Sequence, residues 1–260
     1  MAPTGFAPRL VKSAYSYSEA DERRLREELA ACYRLIAHFR MTDLIYTHIS
    51  ARLPGPENHY LFNPYGLLFD EITASSLIKM DLGGNLIEDN GWGYNEAGYT
   101  IHSAILGGRP DIVCALHTHT KAGFAVSCQK DGLLPLNQIA LQFYGKVAYH
   151  DYEGIALDHD ECPRLVADLG NQPTMILRNH GLLTVGRTVP EAFMLMYYLE
   201  KACEIQINAQ MTGADLVLPS KEVCEHTQAQ YGMNEGPEWA VMPWNALIRM
   251  LDRTDSRYRN

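Results

Sequence analysis

The apolar positions change period along the chain, and the changes mark its elements. Ser18 with Asp21 has the form of a capping box, and Leu25, Leu29, Cys32, Tyr33 and Ile36 then recur on one face at helical spacing. Residues 1–17 carry Pro3, Gly5 and Pro8 without a period and read as an N-terminal arm, loose or packed on a neighbour. Ile49 to Leu53 and Tyr60-Leu61-Phe62 flank Pro54-Gly55-Pro56, which predicts a hairpin. Asn63-Pro64-Tyr65-Gly66 is a turn, and Leu77 to Leu82 a further strand closed by Gly83-Gly84-Asn85. Asn95 caps a helix through Ile101, Ala104 and Ile105 that ends at Gly107-Gly108. Ile112 to Leu116 is a short apolar run with the look of a buried strand, and it leads into His117-Thr118-His119.

Leu136 to Tyr144 predicts a short helix and Val147 to Tyr149 a strand, after which Asp158 or Asp160 caps a helix ending near Gly170. The run from Met175 is broken by Asn179-His180-Gly181 and resumes as a strand over Leu182 to Val185. Thr188 and Pro190 open the longest helix, through Phe193, Met196, Tyr197, Glu200 and Cys203 to Gly213. Its Met and Tyr stripe suits a core or a subunit interface. Strands alternating with helices predict one α/β domain over 18–235, with 236–260 as a C-terminal tail packing on that domain or on a neighbouring subunit.

Composition narrows the partners. A chain of 260 residues that is 47% hydrophobic can bury a sizeable core, and nothing in it forces a second domain. The net charge of −9, with no block of Lys or Arg, argues against nucleic acid or an anionic membrane as partner. Cysteines 32, 114, 128, 162, 203 and 224 are scattered without a C-x-x-C, as expected of reduced thiols in the cytoplasm. No charged-then-apolar leader and no bilayer-length apolar run is visible, which adds to the expectation of a soluble, cytoplasmic protein.

The histidines bring in candidate chemistry. Alternate residues of a strand share a face, so His117 and His119 project together while Thr118 points away. His180 supplies a third imidazole from another strand end, followed by a glycine that lets the backbone turn or approach closely. Three neutral imidazoles leave an open coordination position, as in catalytic zinc sites, and they also suit iron, nickel and copper. Set against this, a lone His-x-His is more often two half-buried histidines. His48 precedes the first hairpin strand, where an ordinary solvated or core role is the default, and Glu96 stands in a first helical turn, where the dipole alone favours a carboxylate.

Over nearly its whole length after residue 20 the chain resembles the class II aldolase/adducin family. The likeness is carried by NPYGLLFDEITASSLIKMDLGGN, NEAGYTIHSAILGGRPD, HTHT, VAYHDYEGIAL, LRNHGLLTVG and EAFMLMYYLEKACEIQ, and is strongest to the adducin-like bacterial branch. The resemblance implies a single-domain α/β/α fold with a central, mainly antiparallel sheet flanked by helices. It also implies a homotetramer with sites at subunit boundaries, and one divalent metal ion per subunit, Zn2+ first and Fe2+ or Mn2+ as alternatives, on His117, His119 and His180.

The departures from the family pattern bear on substrate. The aldolase Glu four residues before His102 is Gly98 here, and Glu96 lies two residues earlier, about 200° around a helix. The phosphate-binding glycine and asparagine become Thr47 and His48, and the serines before the Glu become Tyr94 and Asn95, which disfavours a phosphorylated sugar. The proton-donating tyrosine of a neighbouring subunit falls at Gln138, with Tyr144 and Tyr152 as substitutes. The candidate catalytic set is therefore Glu96, Tyr144 and Tyr152, and the candidate pocket His48, Asn63, Tyr65, Asn95 and Gln138, with Tyr65, Tyr94, Phe143 and Tyr144 as a possible aromatic lining.

Three functions fit the expectation of a small-molecule substrate. The first is a metal-dependent lyase that breaks a C–C bond by retro-aldol cleavage or decarboxylation of a small, non-phosphorylated hydroxy or oxo acid. The second is a non-haem Fe(II) oxygenase that oxidatively decarboxylates an aryl pyruvate or mandelate. The third is a non-catalytic assembly module like adducin, against which the intact histidine set and the missing basic tail both speak.

Overall fold

Ser18 accepts a hydrogen bond from the Asp21 N–H and opens α1 (Glu19–His38), which buries Leu29, Cys32, Tyr33 and Ile36. The structure, a computed structural model, describes residues 18–55, 57–88, 90–231 and 236–260; the arm expected at 1–17 and Pro56 of the hairpin turn lie outside them. β1 (His48–Arg52) and β2 (Tyr60–Phe62) form the expected antiparallel hairpin. β3 (Ile78–Met80) is shorter than the predicted strand, and β4 (Leu86–Glu88) is an addition: with only Leu86 buried, it has no alternation to announce it.

α2 (Glu96–Gly108) begins at its predicted cap, the Asn95 side chain accepting from the Ala97 and Gly98 N–H groups at 3.0 and 3.3 Å. β5 (Cys114–Thr118) follows, then α3 (Lys121–Ser127), capped by Thr120, and α4 (Gln138–Leu141), a single turn rather than the longer helix predicted over 136–144. β6 (Val147–His150), α5 (Cys162–Leu169), β7 (Thr174–Leu177), β8 (Gly181–Gly186) and α6 (Val189–Met211) match the pattern closely. α7 (Lys221–Gln230) buries only Cys224, so no apolar stripe marks it in the sequence. α8 (Val241–Thr254) ends the set.

The strands form one eight-stranded sheet in the order β4-β3-β2-β1-β5-β8-β7-β6. Every neighbouring pair is antiparallel except β6 with β7. Alternation sends Cys114 and Leu116 of β5 to the core beneath α1 and α6, and Ala115 to the core beneath α2 and α5. The result is three layers, α/β/α. The C-terminal segment completes the α1/α6 side: Trp244 meets Phe193 edge-on at 5.6 Å, and the Tyr258 and Asn260 carbonyls accept from the Ala74 and Ser75 N–H groups at 2.8 Å. β5 thus lies near the middle of the sheet, with both its faces covered. That burial is what makes its polar side chains informative.

One buried acid ties α6 to this centre. Glu200 accepts from the Thr120 hydroxyl, the same hydroxyl that caps α3. Burial pushes the Glu200 carboxyl up to about 7, only partly countered by the Thr120 hydrogen bond. Between its ordinary value of 4.5 and about 7 the folded chain holds a proton that the unfolded chain has released, so this group's contribution to stability falls as pH rises through that window. Glu200→Gln, which cannot ionise, should melt higher than the parent at about pH 8, by roughly 2–4 °C, and lose that advantage at about pH 4.5. Thermal melts of both proteins at both pH values check this.

Candidate metal centre

His117 is fully buried on β5, and its Nδ1 lies 2.9 Å from the Leu182 carbonyl on the neighbouring strand β8. His119 stands just past the end of β5, where its Nδ1 is 3.0 Å from the Asp43 carboxylate. A carbonyl and a carboxylate can only accept, so each Nδ1 carries the proton. With both rings neutral, each Nε2 presents a lone pair, and the two atoms face each other 2.8 Å apart. That arrangement is repulsive unless the two nitrogens share a proton between them or a metal ion beside them.

The third imidazole comes from the turn joining β7 to β8. Asn179 takes a left-handed conformation (φ 56°), the His180 N–H bonds the Leu177 carbonyl at 3.1 Å, and the His180 ring turns back over β5. Its centroid is 4.7 Å from that of His117 and 5.0 Å from that of His119. Gly181 makes the approach possible: a Cβ there would meet the Thr118 carbonyl oxygen at 2.4 Å. One ligand atom from each of the three histidines lies within 4.8 Å of the other two. Burial drives His117 well below its ordinary value and His180 down to about 4, with the neighbouring imidazoles adding to both shifts. These two rings are therefore neutral near pH 7, as metal ligands must be. The donor set and its geometry fit a divalent cation.

The three-histidine cluster opens into a cavity of about 640 Å³ that His119 and His180 share with His48, Tyr65, Asn95, Glu96 and Tyr152. Asp43, Tyr46, Tyr94, Ile155 and Leu157 complete most of the wall, and no Lys or Arg of the described residues lines it. Tyr152 reaches the site from the segment after β6, where His150 is clamped between Asp168 at 2.7 Å and Glu161 at 3.1 Å. Its ring centroid is 6.4 Å from that of His180. Asn95 spends its carbonyl oxygen on the helix cap, a contact worth about 1 kcal/mol, which leaves its amide for a ligand. Glu96 is exposed at the rim and is not part of the ligand cluster.

Two expectations, on Asn63 and Phe143, need correction. Asn63 does not line the cavity: it is buried, with its Oδ1 bonded to the Tyr33 hydroxyl at 2.9 Å. Gln138 and Tyr144, whose slot was expected to act across a subunit boundary, stand away from their own chain's cavity: α4 and the turn after it pack toward α6 and α7, and the Gln138 carbonyl accepts from the Tyr231 hydroxyl at 2.9 Å. Phe143 is core rather than pocket, at 2% exposure. Tyr65 and Tyr94 do stand in the wall. Three residues were missed. Asp43 reaches His119 from a loop with no recognisable motif. His102 and Ser50 lie behind His48, with His102 Nε2 2.8 Å from His48 Nδ1 and His102 Nδ1 2.5 Å from Ser50 Oγ. Burial holds His102 down to about 3, so this ring is neutral as well.

Comparison with known proteins bears on the family and the fold. The sequence profile of the class II aldolase and adducin N-terminal domain matches residues 27–207. An aldolase II superfamily protein from Pseudomonas syringae, known from a crystal structure, is 54% identical and superposes with a TM-score of 0.89 over 94% of this chain and 98% of that one. An L-fuculose 1-phosphate aldolase from Glaciozyma antarctica is 28% identical, with a TM-score of 0.82 over 96% of this chain and 97% of that one. Rat (Rattus norvegicus) alpha-adducin is 44% identical over 92% of this chain, which spans only 35% of the adducin. The matched profile covers well over half of the sequence, and the chain belongs to the class II aldolase and adducin N-terminal domain family.

Proposed function

We propose that this chain is a divalent-metal-dependent lyase that breaks a carbon–carbon bond in a small, non-phosphorylated hydroxy or oxo acid, by retro-aldol cleavage or decarboxylation. The observation that carries the reading is the pair of Nε2 atoms of His117 and His119, 2.8 Å apart with each Nδ1 turned to an acceptor, and His180 beside them at the end of an open cavity. A divalent ion held by the three, zinc first and iron or manganese as alternatives, supplies a Lewis acid that draws off the negative charge developing on substrate oxygens as the bond breaks.

The chain's own residues do the rest. Asp43 holds His119 in the tautomer that presents Nε2, and the Leu182 carbonyl does the same for His117. Tyr152 offers a hydroxyl-bearing ring beside His180, and Glu96 a carboxylate at the rim; either can pass a proton between solvent and substrate. Gln138 and Tyr144 can contribute only from a neighbouring copy. A non-phosphorylated substrate is supported by His48, Tyr94 and Asn95 in the wall, where the family's phosphate-binding asparagine and serines are expected, and by the two carboxylates, Asp43 and Glu96, beside them. Tyr152, Ile155 and Leu157 are 52%, 73% and 57% exposed at its mouth, an apolar rim that suits the expected homotetramer with sites at subunit boundaries.

Two measurements test this reading. Anaerobically purified protein should carry close to one divalent ion per chain, and Asp43→Asn should weaken its affinity by about 10- to 100-fold in chelator competition. An Asp43→Asn protein that holds the ion as tightly as the parent would remove the tautomer argument. Incubated with a panel of small hydroxy and oxo acids, the zinc or manganese protein should release aldehyde or CO2 without oxygen. Iron in the purified protein, with substrate-dependent oxygen uptake, would replace the lyase with oxidative decarboxylation.

A further inference from the structure

A second pair of histidines backs the cavity. His48 opens β1 and stands directly opposite His117 in the β1–β5 register, so the sheet itself brings the two rings to one face, 5.1 Å apart and tilted by 31°. The ring of His48 is fixed on two sides. On one, its Nδ1 meets His102 Nε2 at 2.8 Å, and His102 Nδ1 meets Ser50 Oγ at 2.5 Å. On the other lies Gly98 of α2, where a Cβ would come within 2.4 Å of His48 Cδ2 and 2.8 Å of its Nε2. The imidazole fills the volume that any side chain at position 98 would need. Helix α2 therefore presents no group of its own there, and Glu96 remains outside at the rim.

With Nδ1 engaged, Nε2 is the nitrogen that His48 has left for the cavity it helps to line. His48 is not one of the three clustered ligands, so its place is alongside whatever occupies their open side. The Ser50–His102–His48 chain can run in two tautomeric senses without any change in net charge. When Ser50 donates, each ring passes its N–H forward and His48 shows an N–H to the cavity. In the opposite sense it shows a lone pair. One side chain can thus donate to a carbonyl or carboxylate oxygen and accept from a hydroxyl, the functional groups of a hydroxy or oxo acid.

We propose that His48 is a substrate-contacting residue whose Nε2 hydrogen-bonds an oxygen of the small acid held at the open side of the three histidines, with His102 and Ser50 as positioning residues behind it. This rests on the metal-dependent reading of the site. The test uses the zinc-loaded full chain and acetohydroxamate, an unreactive chelating probe, with affinity read by calorimetry and zinc content read separately.

His48→Asn keeps an amide near the position of Nδ1 but removes the cavity-facing nitrogen, and should bind the probe roughly tenfold more weakly with zinc unchanged. His48→Gln returns a polar nitrogen to the cavity and should recover most of that loss. Gly98→Ala, which pushes the ring from the opposite side, should reproduce the weakening, again with zinc retained. A loaded His48→Asn protein that binds the probe as the parent does overturns this inference alone, as does loss of zinc together with the probe. A parent chain that takes up no zinc overturns the metal reading and this inference with it.

Discussion

Two nitrogen lone pairs 2.8 Å apart, on His117 and His119, form the constraint to which the rest of the site answers. Their protons are held on the far sides of the rings by acceptors that cannot donate: the Leu182 carbonyl, committed by the β5–β8 ladder, and the Asp43 carboxylate. Had either partner been a hydroxyl or an amide, the ring could have turned its tautomer and the repulsion would have vanished. Backbone and loop together therefore maintain an arrangement that a metal ion or a shared proton relieves. Burial reinforces it by keeping the His117 and His180 rings neutral at physiological pH.

The sheet order explains why the site lies where it does. β5 sits between β1 and β8, so His117 is flanked in register by His48 on one strand and Leu183 on the other. The β7–β8 turn places His180 over the end of the same strand, and Gly181 removes the only atom that would keep it away. Neutral imidazoles are costly to protonate in this interior, and the same low polarity strengthens every hydrogen bond that orients them. The position of the cluster at a strand end, with both sheet faces covered by helices, opens it to the cavity through His119 and His180.

Much of this was legible in the sequence because it is local. Alternation puts His117 and His119 on one face, the Asn179-His180-Gly181 break marks a turn, and Asn95 announces its helix. The rest depends on contacts between distant residues. Asp43 meets His119 across 76 positions and His48 meets His102 across 54, with no motif joining them. Gln138 and Tyr144 were read from a slot expected to act across a subunit boundary, and in their own chain α4 and the turn after it face α6 and α7. Phe143 shows the limit of residue type as a guide, since an aromatic beside a site and an aromatic in the core look the same until packing is known. β4 and α7 were unread for a simpler reason: each buries one residue, too few to give a period.

The chain is similar both to an L-fuculose 1-phosphate aldolase and to alpha-adducin, and topology alone does not fix what a chain of this fold does. This chain carries three imidazoles whose geometry fits an ion, beside a cavity that no Lys or Arg of the described residues lines. X-ray absorption at the zinc edge of the loaded protein addresses that feature without reference to any substrate. Multiple imidazole scattering with nitrogen at about 2.0–2.1 Å is the predicted spectrum. A first shell dominated by sulfur, or by oxygen without imidazole, would contradict it.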